Sequence, residues 1–258
     1  MKKVDKNKFI RRTISILFWI GVWQLLSSFI KSEILVASPI NVAKAFFELI
    51  TTIDLWSSIA FSFIRIIGGF FIALISGIVL AVLSSYSTFL REIIYVPMTI
   101  IKATPVASFI IIALVWINAR NLSIFISFLM VLPVIYTNVM KGIENIDIKM
   151  KEMLSVFKVS FVKRLRYVYI PSVMPFLISA INISMGMGFK AGIAAEIIGI
   201  PTGSIGEKLY QAKIFLNTPE LFAWTIIIIL ISVCFERVFL IAINNINRRL
   251  LGGFSSGN

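Results

Sequence analysis

Six stretches of this chain, at about 13–30, 59–84, 93–117, 122–140, 172–195 and 220–238, are apolar over lengths that a water-soluble fold cannot hide. A helix needs about 20 mostly apolar residues to cross the hydrocarbon core of a bilayer. In lipid every backbone N–H and C=O must be satisfied inside the span, so helices are the form these stretches can take. Of the 258 residues, 59% are hydrophobic and 14% charged; a soluble domain averages about 25% charged. The expected fold class is all-α integral membrane, a single transmembrane domain over 1–258 with six transmembrane helices.

Charge placement sets the orientation. With the N-terminus inside, sixteen Lys and Arg fall on the cytoplasmic side, including Lys2, Lys3, Lys6, Lys8, Arg11, Arg12, Arg91, seven in 141–171, and Arg248-Arg249. Only Lys31, Lys44, Arg120, Lys208 and Lys213 fall outside. Cytoplasmic loops carry the basic excess, so both termini are cytoplasmic. No small-residue cleavage site cleanly follows the first apolar run, which reads as an uncleaved helix. Between the first two spans, the apolar spacing of Val42, Phe46, Phe47, Leu49 and Ile50 predicts a short surface helix starting after Pro39. A second amphipathic piece is expected over Ile205–Leu216, and a tight turn at Asn118–Asn121.

Composition also excludes. The net charge of +13 raises nucleic acid as a partner, but no soluble polar domain is present to bind it, and the positive-inside rule accounts for the charge. Histidine is absent, which removes the commonest general base and proton relay. Neither paired carboxylates with a base nor a metal-ligand pattern occurs, so no catalytic or metal residue is expected. Cys234 reads as a buried small hydrophobe. Gly206-Glu207-Lys208 fails the phosphate-loop pattern, so any ATP that drives this chain is bound elsewhere.

The connection 141–171 is the longest on the cytoplasmic side and carries charges at helical spacing. It predicts a helical hairpin on the membrane face, its first arm around Lys149–Phe157 and its second over Phe161–Tyr169. Two readings stay open on physics alone: a solvated basic loop that fixes topology, or a docking element. The second follows from the apolar ridge Met153, Leu154 and Phe157, which has membrane spans on both flanks and no evident core of its own.

Small residues recur every four positions in the second span (Gly69, Ala73, Gly77, Ala81, Ser85) and in the fifth (Ala180, Ser184, Gly188, Gly192). They mark close helix packing, either within the chain or against a second copy or a narrow path. Lys102 falls near the middle of the third span, between Pro97 and Pro105. A lysine at that depth costs about 2.5–3.5 kcal/mol on insertion scales, so it either snorkels to the boundary or lines a path. Lys190 and Arg65 pose the same choice nearer the outer side.

Several segments resemble those of ABC importer permeases. That family shares a loop written Glu-Ala-Ala, three residues, Gly, nine residues, Ile-x-Leu-Pro. This chain has Glu152-Met153-Leu154, Lys158 at the glycine position, then Val168-Tyr169-Ile170-Pro171 at the same spacing. Ala37-Ser38-Pro39, Ser62-x-x-Arg65 through Gly69-Phe70, Lys102–Ala107, and Ala195-Glu196 followed by Gly203-Ser204-Ile205-Gly206 resemble the nitrate, sulfonate, taurine and bicarbonate branch. The likeness covers about 13–245. Ile117-Asn118-Ala119-Arg120 departs from the branch's usual Phe-Gly-x-Gly.

The resemblance implies a type I importer permease acting as a homodimer. Its partners would be an ATP-binding ABC subunit carrying ATP and Mg, and an extracellular or periplasmic solute-binding protein. No cofactor is expected on this chain. The ATPase-coupling residues would be Glu152, Met153, Leu154, Phe157, Lys158, Val168, Ile170 and Pro171. The path is expected to involve Lys102, Pro105, Ser184, Gly188, Lys190 and Gly192, for a small anion or a vitamin precursor. Without glycine at 158 the hairpin must turn by other means, and with bulky Met153 and Leu154 it should need a roomier groove on its ATPase. An ion-coupled secondary transporter is the alternative. It would need intramembrane carboxylates or histidines, and Glu196 and Glu236 lie near span ends.

Overall fold

The computed structural model describes residues 6–252, with no side-chain description for 6–9, 244 and 246–252. Lys2 and Lys3, and the side chains of Lys6, Lys8, Arg248 and Arg249, lie outside the described part. The first helix, α1 (Lys6–Ile30), packs lightly at the periphery. Trp23 anchors its outer end by donating to the Ala37 carbonyl at 3.0 Å and stacking on Phe222. The expected surface helix is α2 (Pro39–Ile50). Ser38 caps it by accepting from the Asn41 N–H, and Pro39 fills the first helical position, where a missing N–H costs nothing.

The long helix α3 (Ile53–Tyr86) starts at a Thr52 cap. The third apolar stretch is not one straight span: α4 (Thr88–Ala103) and α5 (Val106–Ala113) meet at 105°. Pro105 explains the break. It disfavours helical geometry at Thr104, whose ψ is 131°, and it supplies no N–H to continue the ladder. Next comes α6 (Ala119–Glu144), capped by Asn118 at the expected turn.

The hairpin consists of α7 (Ile148–Val156) and α8 (Phe161–Arg164). A π-helical segment, Leu165–Tyr169, joins α8 to α9 (Ile170–Gly199) as one continuous rod of 39 residues. The fifth span therefore begins inside the predicted loop, not at residue 172. Pro171 accounts for the widened turn. It cannot donate to the Tyr167 carbonyl and its ring would press on it, and the Ile170 N–H instead reaches back to Leu165. A short outer-side helix, α10 (Ile205–Ile214), and a long apolar helix, α11 (Thr218–Gly252), complete the described chain. Among the described residues, five helices are long and apolar enough to cross a membrane, and the bent α4–α5 pair makes a sixth if taken as one span.

The core runs along α6, which packs between α3 and α9. Both stripes of small residues face it. A Cβ on Gly69 would lie 2.2 Å from the Ile124 carbonyl oxygen, so only glycine lets α3 approach α6 this closely. Ala73, Gly77 and Ala81 continue the contact, while Ser85 at the end of the stripe is exposed. Aromatics join α3 to α11: buried Phe70 packs edge to face on Phe239, which stacks on Phe235. Cys234 is exposed on α11, not buried as expected, because this face of α11 has no helix beside it in the single chain.

Candidate functional site

The cytoplasmic hairpin is built around one backbone event. Lys158 adopts φ +47°, the left-handed conformation that glycine takes without cost. The expectation that the hairpin turns by other means without glycine is corrected: lysine itself takes the left-handed geometry at 158. The Lys158 N–H donates to the Ser155 carbonyl at 3.0 Å, and the Val159 N–H to the Leu154 carbonyl at 3.1 Å. This pair of bonds is the Schellman stop, and the apolar contact that accompanies such stops is present between Val159 and Leu154. Arg164 seals the turn. Its Nε donates to the Val159 carbonyl at 2.7 Å and its Nη2 to the Leu154 carbonyl at 2.9 Å.

The ridge predicted from Met153, Leu154 and Phe157 divides. Leu154 is buried with Ile146 and Val168 in a small cluster that Val159 and Tyr169 complete. Leu154 and Val168 thus hold the hairpin together from inside, and the expectation that this ridge lacks a core is corrected. Glu152, Met153, Phe157 and Lys158 are exposed, and Ile170 and Pro171 are half-buried. The outward surface also includes Ile148, Val156, Phe161 and Val162, none of which was placed on the predicted ridge; Val156, Phe157 and Val162 are each more than 70% exposed. The signal was available in the helical rows 148-152-156 and 149-153-157, both of which face outward. At the foot of the hairpin Arg91 pairs with Glu144 at 2.6 Å.

The expected path residues separate in the same way. Ser184, Gly188 and Gly192 are buried inside the protomer. Gly188 faces Val131, and Gly192 faces Ile66 and Ser127. They pack α9 against α6 and α3, so the path reading is corrected for these three. Lys190, on the opposite side of α9, is exposed, as are Lys102 in the last turn of α4 and Pro105 at the α4–α5 elbow. A cation in a last turn also meets the negative end of its own helix.

Among the described residues, the most buried charge-bearing side chain lies at the outer end. Glu196 has no exposed surface and stands at the N-terminus of α10. Ser62 of α3 donates to its Oε2 at 2.6 Å, the Gly206 N–H reaches the same oxygen at 3.4 Å, and the Ile205 N–H donates to Ser62 Oγ at 3.0 Å. The first N–H groups of a helix have no partner within it and can donate to such an oxygen. The separated sequence elements Ser62-x-x-Arg65, Ala195-Glu196 and Gly203–Gly206 therefore meet at one point. Arg65 sits beside it, donating to the Arg120 carbonyl at 2.9 Å with its guanidinium 3.6 Å over the Phe61 ring. Among the described residues, no group of three or more His, Cys, Asp or Glu could hold a metal ion.

Residues 69–252, which include the α3–α6–α9 core and the whole hairpin, match the family described as binding-protein-dependent transport system inner membrane component. The chain belongs to this family. It is thus a multi-pass membrane permease of an ABC importer, a class in which a separate subunit hydrolyses ATP and a binding protein presents the solute. Among its relatives is the nitrate import permease protein NrtB of Leptolyngbya laminosa, 28% identical over 78% of this chain and 75% of that protein. Another is SsuC of Escherichia coli (strain K12), a permease protein named for aliphatic sulfonates, 28% identical over 77% and 76%. SsuC of Bacillus subtilis (strain 168) is 23% identical over 81% and 76%.

Proposed function

We propose that two copies of this permease form a path for a small anion of the nitrate or sulfonate kind, and that the 148–164 hairpin of each seats in a groove on its ATPase. The observation that carries this reading is the hairpin itself: an apolar surface held out from the membrane on a turn that is pinned by Arg164. Exposed apolar side chains on a rigid, solvated element fit a partner's groove in the helix-in-groove manner. Glu152, Met153, Phe157 and Lys158 would meet the ATPase, and ATP and Mg would stay on that partner. The anion assignment rests on the relatives' names and on the cations Lys102 and Lys190, which the protomer leaves exposed within its spans. The chain's work is differential stabilisation of an inward-open and an outward-open arrangement, the only means by which nucleotide or solute can shift such an equilibrium.

The test is reconstitution in proteoliposomes with the ATPase and binding protein encoded beside it. ATP-dependent uptake of nitrate or an aliphatic sulfonate is expected. Glu152→Lys is expected to preserve membrane insertion and ATPase turnover while abolishing uptake. Full uptake by that variant would remove the hairpin from the mechanism; failure of the chain to retain any ATPase in detergent with trapped nucleotide would sink the reading altogether.

A further inference from the structure

A cavity of about 310 Å³ lies under the hairpin, between α3, α6 and the α8–π–α9 rod, within the roughly 300–1,000 Å³ typical of small-ligand sites. Its depth is apolar, with Ile78, Val139 and Leu177 contributed by three different helices. Its mouth carries Ser85, Tyr86, Phe161 and Arg164. From Ile78 to Tyr86 the slot follows α3 for about 12 Å at 1.5 Å per residue. Tyr86 and Tyr169 border it, the residue type that settles at the level of lipid headgroups. The cavity therefore begins at the cytoplasmic boundary of the bilayer and runs inward among residues that offer water almost no polar partners. Buried water needs two or more such partners, whereas hydrocarbon needs none.

Charge indicates which lipid fits. The segment 141–171 carries seven basic residues against Glu144, Asp147 and Glu152. Lys163 and Arg166, both exposed, flank Arg164. Arg164 spends Nε and Nη2 on the hairpin carbonyls, and its Nη1 makes no hydrogen bond among the described residues. Anionic headgroups of the cytoplasmic leaflet attract such clusters. The wall formed by Leu165 and Tyr169 is the π-helical segment, a distortion that often accompanies binding sites.

We propose that this cavity takes an acyl chain of one anionic phospholipid from the cytoplasmic leaflet, with its phosphate at Arg164 Nη1 and Lys163. The same arginine holds the Lys158 turn, so an occupied cavity would stiffen the hairpin from below. The site stands apart from the docking proposed above, since it needs neither the ATPase nor the solute.

The experiment uses the full chain in mild detergent, offered phosphatidylglycerol and phosphatidylcholine of identical acyl composition, with retention read by native mass spectrometry. At least five-fold preferential retention of one phosphatidylglycerol per chain is expected, and Val82→Trp, which fills the slot, should lose it. A second measurement needs no variant. Phosphatidylglycerol with a mid-chain diazirine, photolysed on the wild-type protein in nanodiscs, should label residues within 78–86 or 165–177. Equal retention of the two lipids would overturn the proposal, as would labelling confined to α1 and α11. Labelling that appears only after residues 253–258 are deleted would assign the cavity to the chain's own C-terminal segment and overturn it as well.

Discussion

The two ends of this permease solve the problem of connecting spans in opposite ways. On the outer side the α9–α10 connection is locked inward. A fully buried carboxylate, a serine from α3 and the first N–H groups of α10 converge on one point, with glycine where backbones touch. On the cytoplasmic side the α7–α8 hairpin has a core of three buried residues, Ile146, Leu154 and Val168, and turns most of its apolar surface outward. Buried polar networks specify one arrangement and tolerate little change. A thin core pinned by side-chain-to-carbonyl bonds leaves a surface free for a partner. The outer end is therefore built to hold its shape, and the inner end to present one.

Substitutions can break this contrast. The largest effect is expected at the outer lock. A Cβ at 206 would lie 2.3 Å from the Glu196 carbonyl carbon, backbone that has no rotamer to yield. Gly206→Val should cost at least the roughly 1–3 kcal/mol of core overpacking, seen as a lowered melting temperature in detergent. An unchanged melting curve would mean the lock is looser than its geometry.

Next comes Arg164→Met, which keeps the apolar stem and removes two charge-assisted hydrogen bonds, each worth about 1.5–3 kcal/mol. Because the hairpin is peripheral, the loss should be local. Amide exchange over 154–160 should accelerate many-fold while the global melting temperature stays within a degree or so of wild type. A global collapse would show that the hairpin belongs to the core.

Lys158→Gly should act in the other direction and by less. Relief of the left-handed strain, about 1–2 kcal/mol, is partly offset by glycine's larger entropy loss of about 0.5–1 kcal/mol. Slightly slower exchange in the same amides is expected, and faster exchange would contradict the turn described here. The smallest effect on stability belongs to Phe157→Ser. Exposed sites usually change stability by no more than about 0.5 kcal/mol, yet ATPase retention on co-purification should fall several-fold. Retention at the wild-type level would remove Phe157 from the docking surface.

Charged, helix-spaced residues in 141–171 were enough to expect a hairpin there, and the resemblance to the importer-permease loop placed its turn at 158. The expectation that Lys158 turns by other means than glycine does not hold, since its φ is +47°. Spacing did not tell which apolar residues face inward. Met153 and Leu154 are neighbours in sequence, and one is exposed while the other is buried. Only the return of Val168 and Val159 to Leu154 decides that. Ser184, Gly188 and Gly192 were legible as a close-packing stripe, but whether they met a path or their own α6 depended on how the helices rotate about their axes.

The sequence by itself determined that the chain lives in a bilayer, which way it faces and where its long cytoplasmic loop lies. Apolar length and the placement of basic residues act one segment at a time and need no partner. The tertiary structure decided what segments do together: the 105° break at Pro105 in place of a straight third span, the start of α9 inside the loop, and the meeting of Ser62, Glu196 and Gly206. In lipid, helices associate by backbone approach and satisfied polar groups, with little hydrophobic drive. Those contacts join residues as far apart as 62 and 205, a pairing that no local pattern in the chain encodes.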